Sequence, residues 1–219
     1  MVTFEKIKNN GDIRTYIKKA DEALSAIGYT EHSFAHVTKV AENAGYIMSA
    51  LGANEHTVEL CKIAGFMHDI GNLVNRVDHS QSGAVMAFQI LTALGMDAPD
   101  VSEIVRAIGN HDEGTGTPVS DIAAALILAD KCDVRRSRVR SGNIDTNDIH
   151  DRVNFSVSES NLTVDRAKSE ITLKLEIDDT ISPVMDYFEI FTTRMKLCKS
   201  AAKTLGLSFR LIINKQTII

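Results

Sequence analysis

The sequence predicts a mainly α-helical protein: an all-helical core over residues 1–140, followed by a small α+β domain over residues 141–219 with an antiparallel sheet and one long helix. Three observations predict it. Apolar residues recur at helical spacing through the first two-thirds of the chain, with no proline before Pro99. The composition shifts at "RSGNIDTND", and beyond it "EITLKLEID" alternates apolar and polar residues without a break. A further helical stripe separates that segment from a last alternating one.

Taken in order, Tyr16, Ala20, Leu24 and Ile27 mark a first helix closed by Gly28. Ser33 caps a second, with Phe34, Val37, Ala41, Ala44, Met48 and Leu51 as its stripe and Gly52 just past its end. A third runs from Asn54 to His68 and stops at Gly71. Ser80 or Ser82 opens a fourth along Val85, Phe88, Leu91 and Leu94, ended by Gly95. Asp97 and Pro99 start a fifth that reaches His111. After the loop "DEGTGTP", Ser120 opens a long helix through "DIAAALILADKCDVRRSR". In the second region Val153, Phe155 and Val157 alternate as a strand, and Ile171, Leu173, Leu175 and Ile177 as another. Ser182 and Pro183 start a helix striped by Phe188, Phe191, Met195, Cys198, Ala202 and Leu205 and ended by Gly206. Leu207, Phe209, Leu211 and Ile213 form the last strand.

Composition narrows the function. At 219 residues and 44% hydrophobic, the chain can bury a sizeable core. A net charge of −5 argues against bulk nucleic-acid binding, which needs a positive field. No apolar run reaches the roughly 18 residues of a membrane span, and the N-terminus lacks a signal-peptide core, so a cytoplasmic protein is expected. Cys61, Cys132 and Cys198 are odd in number and far apart, which suggests neither a disulfide framework nor a thiolate metal site.

Six of the seven histidines lie in the helical region. His36 flanks the second helix's apolar stripe, His68 ends the third, His79 opens the fourth and His111 ends the fifth. Asp69 follows His68 directly, and Asp130 interrupts the apolar run "LILADKCD". A buried carboxylate without a partner is costly, so something must compensate it. A small object at the end of the third helix, such as a metal ion, would let His68 and Asp69 act together.

The stretches "HSFAHVTKVA", "AGFMHDIGN", "DHSQSGAVMAFQIL", "VRAIGNHDEG" and "AALILADKCD" hold these residues in one order, and that order resembles the HD-domain superfamily of metal-dependent phosphohydrolases. The resemblance covers roughly residues 30 to 140 and not the C-terminal region. It implies a helical fold around a metal centre in which His36, His68, Asp69 and Asp130 bind one ion. His79 and His111 would hold a second ion, with Asp69 bridging the two. Imidazoles and carboxylates suit manganese, iron, cobalt, nickel or zinc better than magnesium. Two such ions polarise a phosphoryl oxygen and supply a hydroxide nucleophile, so Asp69 would be part of the catalytic apparatus.

Other residues have two readings each. His32 either approaches the site as a catalytic or substrate-contacting group or sits on the surface; it and Lys131 are the two candidates for the acid that protonates the leaving group. Asp112 either orients a metal ligand or caps its loop, while His56 and His150 read as solvated. Lys131, Arg135 and Arg138 fall on one helical stripe, either a solvated face or a phosphate-binding one with Lys131 nearest the metals and Arg135 next. The expected substrate is a small phosphorylated molecule, a nucleotide first among them. The rivals are a di-iron oxygenase of the same fold and a nucleotide-binding regulator with little turnover. The C-terminal region would serve as a homodimer interface or a substrate lid.

Overall fold

The computed structural model describes residues 2–140 and 148–219. Residue 1 and residues 141–147 lie outside the described residues, and the domain boundary expected at 140/141 falls at their edge. The helical part comprises α1 (Phe4–Lys8), α2 (Gly11–Ala26), α3 (Phe34–Ala50), α4 (Glu55–Met67), α5 (His79–Ala93), α6 (Ala98–Gly109) and α7 (Asp121–Lys131). Short polar side chains set the helix starts. Asn10 accepts from the Asp12 and Ile13 amides, Ser33 from Ala35, Asn54 from Thr57 and Ser120 from Ala123. Gly28 and Gly52 take positive φ beyond α2 and α3, where a side chain would be strained. Ile27, expected inside the first stripe, caps α2 and is exposed. α1 was not foreseen, because five residues are too short to show a period.

α7 is the central element. Every residue from Ile122 to Ala129 is buried, and the helix packs against α3, α4 and α6. Burying each of Leu126, Ile127 and Leu128 contributes about 1.5–3 kcal/mol, which fixes Asp130 at the helix's end. The helix does not run on to Arg138 as expected. It stops at Lys131, and a 3-10 turn follows over Arg136–Arg138. Tertiary partners turn the chain: Asp133 accepts from His36, while Arg138 donates to the carbonyls of Glu31 and Asp133. Lys131, Arg135 and Arg138 therefore do not share a helical face.

Two other expectations about the helices are corrected. Gly71 does not end the third helix but lies inside a 3-10 turn, Ile70–Leu73. There a Cβ would come within 2.0 Å of the His79 carbonyl oxygen, so only glycine fits. α5 opens at His79 rather than at Ser80 or Ser82, and it buries Gly83, Ala84, Ala87 and Leu91. Val85 and Phe88, expected in the core, are 60% and 54% exposed because the small residues face the 3-10 turn instead.

The C-terminal part contains α8 (Ile149–Ser156), β1 (Val157–Asp165), β2 (Glu170–Ile177), α9 (Val184–Thr204), β3 (Ser208–Ile213) and β4 (Gln216–Thr217). The alternation of Val153 and Phe155 is not a strand. Asp148 caps the segment through the His150 amide, and Asn154 bonds back to the His150 carbonyl, so it coils. The sheet, in order β1-β2-β3-β4, is mixed rather than antiparallel: β2 and β3 pair in parallel, from Glu170 with Ser208 to Leu175 with Ile213. α9 is the crossover that returns the chain to the same end of the sheet. Tyr187, Phe191, Met195, Cys198 and Ala202 of α9 are buried with Ile171, Leu173, Leu175, Phe209 and Leu211. α9 also packs on α7, so one continuous apolar core joins both parts of the chain. No helix among the described residues is long and apolar enough to cross a membrane.

Candidate metal centre

The ends of four helices deliver the histidines to one point. α3 brings His36, the end of α4 His68, the start of α5 His79, and the segment after α6 His111, all of them buried. Each ring is fixed through Nδ1. His36 Nδ1 lies 2.8 Å from Asp133 Oδ2, and His68 Nδ1 is 2.8 Å from the Gly65 carbonyl. His79 Nδ1 lies 3.1 Å from the Arg76 carbonyl, and His111 Nδ1 2.6 Å from that of Ile108. Carbonyl and carboxylate oxygens accept, so Nδ1 carries the proton and Nε2 of the neutral ring is a bare lone pair.

Those Nε2 atoms face carboxylates, which are also acceptors. Asp69 Oδ2 stands 3.3 Å from His68 Nε2 and 3.6 Å from His36 Nε2, while Asp130 Oδ1 stands 3.6 and 3.4 Å from the same two atoms. The other Asp69 oxygen, Oδ1, is 3.6 Å from His79 Nε2 and 4.0 Å from His111 Nε2. His36 Nε2 and His68 Nε2 are buried with no hydrogen-bond partner. Orphaned buried acceptors converging on two carboxylates fit a cation, and the mixed nitrogen and oxygen donors fit a divalent transition metal. Two ligand-type groups overlap here, His36–His68–Asp130 and His68–Asp69–His111.

The electrostatics agree. Burial acts to lower His68, yet the carboxylates of Asp69 and Asp130 push it up to about 10, so without a metal this ring takes a second proton on Nε2, and a cation at that point would replace the proton. Burial holds His79 and His111 below the usual imidazole range, which keeps their lone pairs free. Burial would raise Asp130, but Lys131 and the histidines hold it well below the carboxylate range.

A cavity of about 290 Å³ opens over the centre. Asp69, His79, His111 and Asp130 reach it, and Tyr29, Arg76, Arg138, Asn154 and Arg194 are among its walls. His32 also lines it, with its ring 5.5 Å from that of His36 and Nδ1 on the Thr30 carbonyl. Lys131 lines it too, but its ammonium is held between Asp130 Oδ2 at 2.8 Å and Glu113 Oε2 at 2.7 Å. Arg135 does not line this cavity: its Nε donates to Asp133 Oδ1 at 2.9 Å. Asp112 accepts from the Gly114 amide and stands 3.9 Å from His79 Nε2. His56 pairs with Asp100, and the exposed His150 lies at the cavity wall.

Sequence reasoning missed Asp133, which sets the His36 tautomer, although a second acid three residues after Asp130 was there to be noticed. It also missed Arg76, Glu113 and Arg194. Glu113 and Arg194 lie 81 residues apart and meet only in the fold.

Residues 33–135, which hold all six candidate ligands, match the HD domain family. The chain is 26% identical over 163 residues to an uncharacterized protein of Methanocaldococcus jannaschii, covering 64% of this chain and 62% of that one. It is 29% identical over 150 residues to ribonuclease Y of Aster yellows witches'-broom phytoplasma, covering 64% of this chain and 27% of that protein. These matches span less than two thirds of either relative. A solved structure, a predicted HD superfamily hydrolase from an uncultured Thermotogales bacterium, is 27% identical at a TM-score of 0.45, covering 57% of this chain and 67% of that one. Residues 33–135 thus carry the match to the HD domain family, and the clustered histidines and aspartates within them could hold a metal ion.

Proposed function

We propose that the chain is a metal-dependent phosphohydrolase that cleaves a phosphate ester or anhydride in a small molecule, a nucleotide being the class that fits best. The observation that carries this reading is the convergence of bare imidazole nitrogens on Asp69 and Asp130 at the floor of a cavity whose walls hold arginines. His36, His68, Asp69 and Asp130 would hold one ion, and Asp69, His79 and His111 a second. When bound, such ions polarise a phosphoryl oxygen and bring the pKa of bound water near neutrality.

The chain's own residues do the rest. Asp133 holds His36 by its Nδ1 proton, and the Gly65 and Ile108 carbonyls do the same for His68 and His111. Arg76, Arg138 and Arg194 supply positive walls for an anionic substrate. Lys131 keeps Asp130 in one orientation. His32, with its proton on Nδ1, offers the cavity an acceptor rather than an acid.

A second reading, cleavage of RNA phosphodiesters, is favoured by the ribonuclease Y relative. The walled cavity and the net charge of −5 support a small substrate instead. Metal analysis of the purified chain, then a panel of phosphomonoesters, nucleotides and short RNA with manganese, tests the proposal. Manganese-dependent phosphate release from small substrates is expected. Oxygen consumption without phosphate release would overturn it in favour of the oxygenase.

A further inference from the structure

We infer that Arg194 anchors the phosphate of the substrate, and that this substrate is a small phosphomonoester rather than a phosphodiester chain. The inference rests on the phosphohydrolase reading above and adds a residue from outside the HD-matched segment. Arg194 lies on α9 and lines the cavity. Its Nε donates to Glu113 Oε1 at 2.8 Å, and its guanidinium carbon sits 4.8 Å from the centre of the Phe191 ring. The other Glu113 oxygen takes Lys131 Nζ at 2.7 Å, which reaches Asp130 Oδ2 at 2.8 Å. Three short ionic contacts thus tie the guanidinium to a carboxylate of the candidate metal centre.

The group is held by its edge and by its face, while no described residue partners its two terminal nitrogens. A guanidinium restrained in this way loses little freedom on accepting two oxyanion oxygens. Arg76 stands on the His79 side of the cavity, with Nη1 3.3 Å from His79 Nε2, and adds a second cation there. Such surroundings favour a dianion with three terminal oxygens over a singly charged diester. Size points the same way. A diester inside a polymer must lead both substituents out, whereas Asp148 at the cap of α8, Asn154 on α8 and Arg194 on α9 wall this cavity. The C-terminal region is then part of the substrate seat.

The test uses the metal-loaded full chain, with calorimetric titration of inorganic phosphate and kinetics on p-nitrophenyl phosphate and bis(p-nitrophenyl) phosphate. In Arg194→Gln the phosphate Kd and the monoester KM should each rise about 10- to 100-fold, the loss of a charge-assisted pair of hydrogen bonds, with metal content unchanged. Lys196→Gln, an exposed charge on the same helix, should change neither. If Arg194→Gln fails to fold, Arg194→Lys carries the test: it keeps a cation for Glu113 but loses the fork, and Kd should rise about 5- to 10-fold. An unchanged phosphate Kd in the variant that folds, or faster hydrolysis of the diester, overturns the inference. Arg194-dependent phosphate binding without turnover of any phosphoester would sink the hydrolase reading alone and leave the anchor standing.

Discussion

His79 and His111 present bare ring nitrogens to each other, Nε2 to Nε2, across 3.2 Å, while the opposite edge of each ring is fixed to a backbone carbonyl. Two lone pairs at that distance repel, and Asp69 Oδ1 beside them adds negative charge. Of the two rings, Arg76 reaches His79, with Nη1 3.3 Å from its Nε2. A cation shared by the three groups removes the conflict. Metal-replete protein should therefore carry two ions per chain, and His79→Ala or His111→Ala should fall towards one with the fold retained. Mass-spectrometric metal counting decides it: one ion per chain in the unaltered protein would make the two-ion assignment wrong.

Lys131 gives a different kind of prediction. Its ammonium is buried between Asp130 and Glu113, and those charges, outweighing burial, raise it above the usual lysine range. Among the described residues, Lys131→Ala removes the only lysine beside buried Asp130 and leaves Glu113 to Arg194 alone, and should cost about 3 kcal/mol in the metal-free protein. Bound metal compensates Asp130, so the cost should shrink when the site is loaded. Urea unfolding with and without manganese measures both. Equal, negligible losses would show that the paired ammonium contributes nothing net to stability in either state.

Cys61 is fully buried on α4. Burial, then Asp121, push its thiol up to about 12 from an ordinary value of 9.0. The folded state thus holds this proton more tightly than the unfolded chain does. The stability it contributes is complete below pH 9 and is lost as pH rises towards 12. At pH 8 the thiol should react with an aromatic disulfide only as fast as the protein opens, as peptide-resolved mass spectrometry would show. Rapid labelling in native buffer would contradict this account of its burial.

The clustering of the candidate residues was legible because they sit at helix ends whose caps and glycines are local signals: Ser33 ahead of His36, Asn54 ahead of the helix ending at His68. Expectations failed where a tertiary partner outweighed local pattern. The stretch after Lys131 continues a helical period, yet Asp133 and Arg138 leave it to bind His36 and the Glu31 carbonyl. Val85 and Phe88 form a good stripe, but the close approach of α5 to the turn at Gly71 buries the glycine and alanine face instead. The parallel pairing of β2 with β3 is set by where α9 docks, and alternation within a strand carries no direction.

Gly65 tests how tightly the centre depends on helix spacing. It lies where α4 crosses α3, and a Cβ there would stand 2.7 Å from Ala41 Cα, 2.8 Å from its nitrogen and 3.0 Å from the Val40 carbonyl carbon. All three are backbone atoms, so a methyl group can be admitted only if the helices separate. Separation also strains His68, whose Nδ1 bonds the Gly65 carbonyl, and draws His36 on α3 away from it. Overpacking of this kind costs about 1–3 kcal/mol, and the better helix propensity of alanine returns less than about 1 kcal/mol. Gly65→Ala should therefore be less stable by roughly 1–2 kcal/mol and should bind metal more weakly. Gly11→Ala, at the exposed start of α2 with no atom within 4 Å of the new methyl, should change neither. Thermal melts of both variants with a manganese titration compare the two effects. Weakened metal binding in Gly65→Ala together with full stability would still implicate spacing, but unaltered metal affinity would show that the His36–His68 pair tolerates helix separation.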